Sequence, residues 1–252
     1  MTLPDGLLTD VLVAGRAARA AAEVLLKLRV QGDLTGRALG DAGDAAAQQA
    51  ILASLDADRP DDIVFSEEAV DDPRRLTAER VWIVDPLDGT REYGEVPRHD
   101  WAVHVALWGR GDLTAAAVAL PGLDEVLLTD PAPVLPAHDG GPLRLAVSRS
   151  RPPAEASAVA EALGAELVPL GSAGYNTVAV ARGEVDAYVH SGGQYQWDSA
   201  APVAIARAAG LTTCRLDGSP LVYNDPDPSL PDLVVCRPEL TEQVLAAVRS
   251  AR

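Results

Sequence analysis

The chain has 252 residues, 48% of them hydrophobic and 23% charged, which is typical of a globular protein with a packed core. Its 37 acidic residues outnumber 21 basic ones, and the formal net charge of −16 argues against binding to nucleic-acid polymers or anionic membranes. The sequence has no apolar run of transmembrane length, no basic-then-apolar leader and only two cysteines, so we expect a cytoplasmic protein.

Helices are predicted first along the chain. Apolar residues recur at helical spacing over residues 7–30, which predicts a long amphipathic helix. The glycine-bearing, acidic stretch 33–43 predicts a mobile loop, and a second helix is predicted over residues 44–58. Asp44 would then be the N-cap of that helix, whereas Asp41 would either cap it or add a carboxylate nearby; we favour capping.

Strands and then an alternating pattern follow. Apolar runs predict antiparallel-looking strands near residues 63–66, 81–84, 101–108, 113–120 and 125–130. A proline-rich stretch then suggests an N-terminal lobe of residues 1–135, with a largely antiparallel sheet, and a C-terminal α/β lobe of residues 136–252. Alternation in the second lobe predicts a largely parallel sheet, with strands at 143–148, 166–169, 186–190 and 232–236 and helices at 153–163, 174–182, 198–209 and 239–250.

The segment from Asp85 to Thr90, which reads Asp-Pro-Leu-Asp-Gly-Thr, carries the strongest functional signal. It follows a buried strand, and its proline and glycine allow a sharp turn that can aim Asp85, Asp88 and the Leu87 carbonyl at one point. Three hard oxygen donors suit Mg²⁺ or Mn²⁺. An ordinary Asp-Gly turn is the alternative for this segment taken alone.

Three further acidic positions strengthen this interpretation. Glu67 lies in Ser-Glu-Glu at the end of a predicted strand, where a solvated loop is the alternative. Asp198 lies in Trp-Asp-Ser-Ala-Ala at the start of a helical pattern, where an N-cap is the alternative. Asp44 is the third of these positions, in Ala-Gly-Asp-Ala-Ala-Ala-Gln, where an N-cap is again the alternative.

In this order and spacing, the four segments resemble the inositol monophosphatase-like superfamily of Mg²⁺-dependent, lithium-sensitive phosphatases. The resemblance covers about residues 7 to 250. It implies an α/β (α+β layered) fold, an alternating α-β-α-β-α sandwich of the inositol monophosphatase and fructose bisphosphatase type.

The resemblance also implies roles for individual residues. Two or three Mg²⁺ ions, for which Mn²⁺ could substitute, would be held by five residues: Glu67, Asp85, Leu87 through its main-chain oxygen, Asp88 and Asp198. Thr90, hydrogen-bonded to Asp44, would position and deprotonate the attacking water. The amides of Gly89 and Thr90 would hold the phosphate.

Within the superfamily the chain looks most like the CysQ-type 3′(2′),5′-bisphosphate nucleotidases, which act on 3′-phosphoadenosine 5′-phosphate. The supporting segments are Asp-Gly-Thr-Arg-Glu-Tyr at 88–93, Gly-Ser-Ala-Gly at 171–174 and Leu-Asp-Gly-Ser-Pro-Leu-Val-Tyr-Asn at 216–224. Two of the departures from family patterns bear on the substrate. Ser191 stands where inositol monophosphatases carry an acid that contacts a sugar hydroxyl. Tyr175-Asn176 stands where nucleotide phosphatases often have a lysine.

A second phosphate on the substrate would need cationic or polar partners. The candidates are Arg91, Arg149, Arg151, Gly171, Ser172 and His190. Solvated-loop arginines and a core histidine are the alternatives, and Tyr195 or Trp197 could stack on a base or simply pack in the interior.

The sequence therefore predicts a phosphomonoesterase that hydrolyses 3′-phosphoadenosine 5′-phosphate, a small phosphorylated metabolite, in sulfur assimilation. Phosphatases of inositol 1-phosphate or fructose 1,6-bisphosphate are the near alternatives. A non-catalytic metal- or nucleotide-binding regulator is the more distant one. The sequence leaves open whether two copies form a homodimer.

Overall fold

Two long helices form the first layer of the fold in the computed structural model, which describes residues 9–251. They are α1 (Asp10–Gln31) and α2 (Gly36–Asp58). Apolar residues of both helices pack against one face of the first sheet, in a cluster that includes Val13, Leu25, Ile51, Trp82 and Val105. The start of the helix predicted over 7–30 falls on residues 7–8, which lie outside the described residues.

The first sheet has five strands in chain order. They are β1 (Ile63–Ser66), β2 (Arg80–Asp88), β3 (Ala102–Gly109), β4 (Asp112–Leu120) and β5 (Glu125–Leu128). β1 and β2 pair in parallel, and the three other pairings are antiparallel. A short helix, α3 (Thr90–Gly94), follows β2 directly.

The second sheet has the order β7-β6-β8-β10-β9. Its strands are β6 (Arg144–Ser148), β7 (Glu166–Leu170), β8 (Ala187–Tyr195), β9 (Thr212–Cys214) and β10 (Ser229–Cys236). β6 pairs in parallel with β7 and β8, but β10 is antiparallel to both β8 and β9. The largely parallel sheet predicted for this half is therefore wrong. After β9 the chain loops through residues 215–228 and enters the sheet between β8 and β9 in the opposite direction.

Helices fill the space between the sheets and cover the outer face of the second one. α5 (Ala173–Ala181) and α6 (Gln196–Ala208) lie in a core that joins both sheets, whereas α4 (Ala154–Leu163) and α7 (Thr241–Ser250) pack on the outer face. The predicted α-β-α-β-α sandwich is confirmed. Residues 129–143 connect the two sheets. α5 and α6 share one core with both sheets, so the core does not divide at residue 135. The division into two lobes at that residue stays a prediction.

The predicted loop over residues 33–43 is wrong, because α2 begins at Gly36. Two glycines of α2 allow close packing against α3. A Cβ at Gly40 would lie 2.6 Å from the Thr90 Cγ2 atom, and one at Gly43 would lie 2.7 Å from the Tyr93 ring. Asp44 therefore lies inside the helix and is not its N-cap. Asp41 is also internal and not a cap; its exposed carboxylate lies 3.7 Å from Arg37.

Candidate functional site

Asp85 and Asp88 lie at the end of β2, where its pairing with β3 is irregular. Residues three apart on a regular strand point to opposite faces. A register shift between Asp85 and Asp88 in the pairing with β3 offsets this alternation. As a result both carboxylates reach the same side, and the Asp85 Oδ1 atom also accepts a hydrogen bond from the Leu87 amide at 3.1 Å.

Asp198 approaches these two carboxylates from the first turn of α6. It is the third residue of the helix, not its N-cap, and its carboxylate accepts a hydrogen bond from the Tyr195 amide at 2.6 Å. One oxygen from each of Asp85, Asp88 and Asp198 lies within 4.8 Å of the others. We call these three residues the acidic cluster.

The cluster is electrostatically unfavourable on its own. Burial and the neighbouring carboxylates raise the pKa of Asp85 well above its ordinary value. Burial raises the pKa of Asp88 to about 7, and burial together with Asp88 raises that of Asp198 to about 7. The buried Asp85 Oδ2 atom has no hydrogen-bond donor among the described residues. Hard, converging oxygens with an unsatisfied buried atom fit a divalent cation.

Glu67 and Leu87 lie next to the cluster. Glu67 follows β1 in an exposed turn, yet partial burial and the charges of Asp198 and Asp88 raise the pKa of its carboxyl to about 7. The Leu87 carbonyl accepts a hydrogen bond from the Thr90 hydroxyl at 3.1 Å. Glu67 is not part of the acidic cluster, and the roles of both residues as metal ligands stay predictions.

Thr90 and Asp44 bring α3 and α2 together beside the cluster. The Thr90 hydroxyl lies 3.5 Å from the Asp44 Oδ1 atom. Burial and the charges of Glu68 and Glu67 raise the pKa of Asp44 to about 7. A carboxyl group with a pKa near neutrality can exchange a proton at physiological pH, as general acid–base catalysis requires.

A cavity of about 510 Å³ opens onto the cluster. Its lining includes most of the residues predicted to bind substrate, namely Gly89, Thr90, Arg91, Gly171, Ser172 and His190. Arg149 is outside this lining; its guanidinium bonds to Glu92 at 2.5 Å and to Glu95 at 2.9 Å, the same two glutamates that pair with Arg91 at 2.8 and 3.7 Å. Its assignment to substrate stays a prediction.

Gly171 and Ser172 shape the N-terminus of α5 as well as the cavity. The Ser172 hydroxyl caps the helix by accepting a hydrogen bond from the Tyr175 amide at 2.9 Å. The next two amides, of Ala173 and Gly174, donate to the Asp88 carboxylate at 3.3 and 2.5 Å. The Gly-Ser-Ala-Gly segment therefore orients a member of the acidic cluster.

Tyr195 and Trp197, the two aromatic residues that the sequence suggested could stack on a base, lie next to residues of the cavity lining. Tyr195 stacks on Trp197 with ring centroids 4.9 Å apart, and Trp197 meets the edge of Phe65. Neither Tyr195 nor Trp197 belongs to the lining of the cavity. Trp197 therefore has a packing role.

Sequence reasoning missed His104, which is buried behind the cluster, and gave no role to Ser148, Ser150 and Gln194, which line the cavity. His104 lies within the apolar strand β3, its Nε2 atom 3.4 Å from the Asp88 carboxylate. Burial lowers the pKa of His104 to about 4, so the ring is neutral at physiological pH. A histidine inside an apolar run carries no sequence signal of such contact.

None of the helices in residues 9–251 combines the length and the apolar character that a membrane crossing requires.

Comparison with known proteins agrees with this geometry. A 3′-phosphoadenosine 5′-phosphate phosphatase from Mycobacterium leprae is 49% identical over 255 residues, which cover 96% of this chain and 94% of that protein. The 3′(2′),5′-bisphosphate nucleotidase CysQ of Escherichia coli strain K12 is 30% identical, over 72% of this chain and 78% of that protein.

A solved structure and a family model show the same relationship. The crystal structure of CysQ from Bacteroides thetaiotaomicron superposes with a TM-score of 0.78 at 26% identity, covering 90% of this chain and 97% of that one. The model of the inositol monophosphatase family matches residues 8–252. The resemblance seen in the sequence is thereby confirmed, and the chain belongs to the inositol monophosphatase family.

Proposed function

We propose that this protein is a Mg²⁺-dependent phosphomonoesterase that hydrolyses 3′-phosphoadenosine 5′-phosphate to AMP and phosphate. One observation carries the proposal: two buried carboxylates and one half-buried carboxylate converge within 4.8 Å beside a cavity whose lining includes Arg91 and Arg151. The names of the relatives at 49% and 30% identity support the same substrate class.

Asp85, Asp88 and Asp198 would hold the metal, with Glu67 and the Leu87 carbonyl completing its ligands. A divalent cation held there would supply positive charge opposite the phosphate and its leaving oxygen and would lower the pKa of the attacking water. The carboxylates alone would repel a phosphorylated substrate, so occupancy by cations is also what makes the cavity attractive to an anion.

Asp44 and Thr90 would handle the proton of the attacking water. The Thr90 hydroxyl lies between two acceptors, the Leu87 carbonyl at 3.1 Å and the Asp44 carboxylate at 3.5 Å. In the transfer, the Thr90 hydroxyl would turn its one proton from the Leu87 carbonyl to the Asp44 Oδ1 atom and release it there, while the Thr90 oxygen takes up the proton of the water. The raised pKa of Asp44 suits it to accept that proton near neutral pH.

The remaining part of the cavity lining would hold the second phosphate and the nucleoside. Arg91 and Arg151 both belong to its lining, together with the hydroxyl-bearing Ser148 and Ser150. A guanidinium binds phosphate oxygens through paired hydrogen bonds. At about 510 Å³, the cavity falls within the usual size range of small-molecule sites.

Ser191 argues against inositol 1-phosphate as the preferred substrate. Its hydroxyl donates to the Glu155 carboxylate at 2.9 Å, and it is not part of the cavity lining. The acid that would contact a sugar hydroxyl at this position is therefore missing. Fructose 1,6-bisphosphate remains the stronger alternative, since it also carries two phosphates.

Phosphate release from four substrates tests the proposal: 3′-phosphoadenosine 5′-phosphate, AMP, inositol 1-phosphate and fructose 1,6-bisphosphate. With Mg²⁺ present, kcat/KM should be highest for the bisphosphate nucleotide, and Li⁺ should inhibit its turnover. EDTA should abolish turnover, and added Mg²⁺ should restore it. A higher kcat/KM on either sugar phosphate would overturn the substrate assignment, and full activity in EDTA would overturn the metal dependence.

A further inference from the structure

His104 is fully buried on β3, behind the acidic cluster. In the pairing of β2 with β3 it is the register partner of Asp85. Strand alternation places it on the same face as Ala102 and Ala106, which pack in the core shared with α5 and α6. A single imidazole thus lies among small apolar side chains, directly beneath the carboxylates.

The ring contacts three segments of the site at once. Its Nδ1 atom lies 3.2 Å from the main-chain oxygen of Trp197, the residue before Asp198 in α6. Its Nε2 atom lies 3.4 Å from the Asp88 carboxylate at the end of β2. The ring also fills the space beside Gly174, where any Cβ atom would collide with it.

The contact with Trp197 requires a donor. A carbonyl oxygen can only accept a hydrogen bond, so the Nδ1 atom must carry a proton for this pair to be satisfied. An aliphatic side chain of similar volume would fill the same space but would leave the Trp197 carbonyl without this donor. Burying a polar ring in an apolar core is costly, and the Nε2 atom has no hydrogen-bond partner among the described residues, so the bond from the Nδ1 atom to Trp197 is the polar interaction that the ring gains here.

We propose that His104 is a positioning residue that holds the first turn of α6 against β2 and so fixes the distance between Asp198 and Asp88. This inference rests on the proposed function, since it assigns His104 a role toward the metal that the cluster would bind. Its loss should weaken metal binding without altering contacts to the nucleotide, because the ring is not part of the cavity lining.

Mg²⁺ titration of the metal-free protein by calorimetry tests this role without any substrate. His104→Leu removes the donor at nearly constant volume and should weaken Mg²⁺ binding by about tenfold or more, the usual effect of losing a group that orients a metal ligand. His104→Asn places an amide N–H where the Nδ1 atom was, and it should bind Mg²⁺ within about threefold of the wild type.

Tyr223→Phe is the matched control. It removes a buried hydrogen bond of 3.1 Å between the Tyr223 hydroxyl and Ser199 of α6, and it does not alter a residue of the acidic cluster. It should lower the Tm and leave the Mg²⁺ affinity unchanged. Equal Mg²⁺ affinity in the leucine, asparagine and wild-type proteins would show that His104 only fills space and would overturn the proposal.

The comparison stays decisive if His104→Leu does not fold. In that case the asparagine variant is measured against His104→Gln, whose amide is displaced toward the Nε2 position and cannot serve the Trp197 carbonyl in the same way. Asparagine should again bind Mg²⁺ more tightly, and the reverse order would refute the role of the Nδ1 atom. A wild-type protein that binds Mg²⁺ but releases no phosphate from 3′-phosphoadenosine 5′-phosphate would refute the proposed substrate. The proposed role of His104 in metal binding would still stand.

Discussion

The Asp88 carboxylate accepts a hydrogen bond from the Gly174 amide at 2.5 Å, which joins the end of β2 to the N-terminus of α5. A helix N-terminus favours a negative charge and so opposes the effect of burial on this group. The contact also explains why residue 174 is a glycine. A Cβ at residue 174 would collide with His104 and would lie 2.9 Å from the Asp88 Oδ2 atom.

Gly174→Ala should therefore destabilise the protein by about 1–3 kcal/mol, as expected for overpacking in a core, and should also weaken Mg²⁺ binding. Thermal unfolding with and without Mg²⁺ measures both effects. Gly109→Ala on β3 is the control, because its nearest neighbour is at 3.5 Å, an ordinary contact. A Gly174→Ala protein as stable as this control would contradict the close packing described here.

Asp85→Asn should have opposite effects on stability and on activity. The neutral amide replaces a buried carboxyl group whose ionised form is disfavoured by burial and by Asp88, Glu67 and Asp198, so the Tm in EDTA should rise by a few degrees, which corresponds to about 1 kcal/mol. Turnover should fall by at least about a thousandfold because a proposed metal ligand is lost. Asp217→Asn, at an exposed residue remote from the cavity, should change neither quantity. A lower Tm for Asp85→Asn in EDTA would count against a repulsive cluster.

Much of this site could be predicted from sequence because its key residues follow short, strongly apolar strands. Asp85 and Asp88 are separated by a proline and a leucine and followed by Gly89, a pattern that fixes a turn with few alternatives. Asp198 and Glu67 also lie at the ends of clear elements. The alternation of strands and helices predicted the layers, although the sheet order depends on long-range pairings that local patterns do not contain.

The errors have equally specific causes. The glycines of the 33–43 stretch suggested a loop, but Gly40 and Gly43 lie within α2 because only glycine permits its contact with Thr90 and Tyr93. Tertiary packing overrides helix propensity there. The ion pairs that turn Arg149 toward Glu92 and Glu95 join residues more than fifty positions apart, so no local pattern reveals them.

Mg²⁺ binding should depend on pH with a definite sign. The carboxyl groups of Glu67, Asp88 and Asp198 have pKa values raised from about 4 to about 7 in the metal-free fold. The folded state therefore holds protons that the unfolded chain releases, and these groups make the metal-free protein less stable as the pH rises from about 4 through 7. Mg²⁺ must displace those protons below pH 7.

The increase in Tm on adding Mg²⁺ should accordingly be larger at pH 8 than at pH 6. The Mg²⁺ concentration for half-maximal stabilisation should be at least about tenfold lower at pH 8. Thermal shift assays across a Mg²⁺ series at the two pH values measure both. A midpoint that does not change with pH would show that these carboxyl groups are already ionised without metal.

Asp44→Asn should separate proton transfer from metal binding. The amide cannot accept the proton, so kcat should fall by about 10²- to 10⁴-fold, the usual contribution of a general base. Calorimetric Mg²⁺ affinity should stay close to that of the wild type. Thr90→Val should behave in the same way, whereas Thr90→Ser keeps the hydroxyl and should retain most of the activity. A large loss of Mg²⁺ affinity in Asp44→Asn would instead make Asp44 part of the metal site.

Arg151 and Arg149 are two positions apart, yet the structure gives them different surroundings. Arg151 is exposed and lines the cavity, while Arg149 is held by two glutamates outside it. Arg151→Gln should raise the KM for 3′-phosphoadenosine 5′-phosphate by about tenfold or more, the cost of one charged hydrogen bond to phosphate. Arg149→Gln should leave this KM nearly unchanged, because its guanidinium already has two carboxylate partners. Steady-state kinetics of the two variants shows which arginine binds the substrate. An equal rise in KM would mean that Arg149 leaves Glu92 to reach the second phosphate.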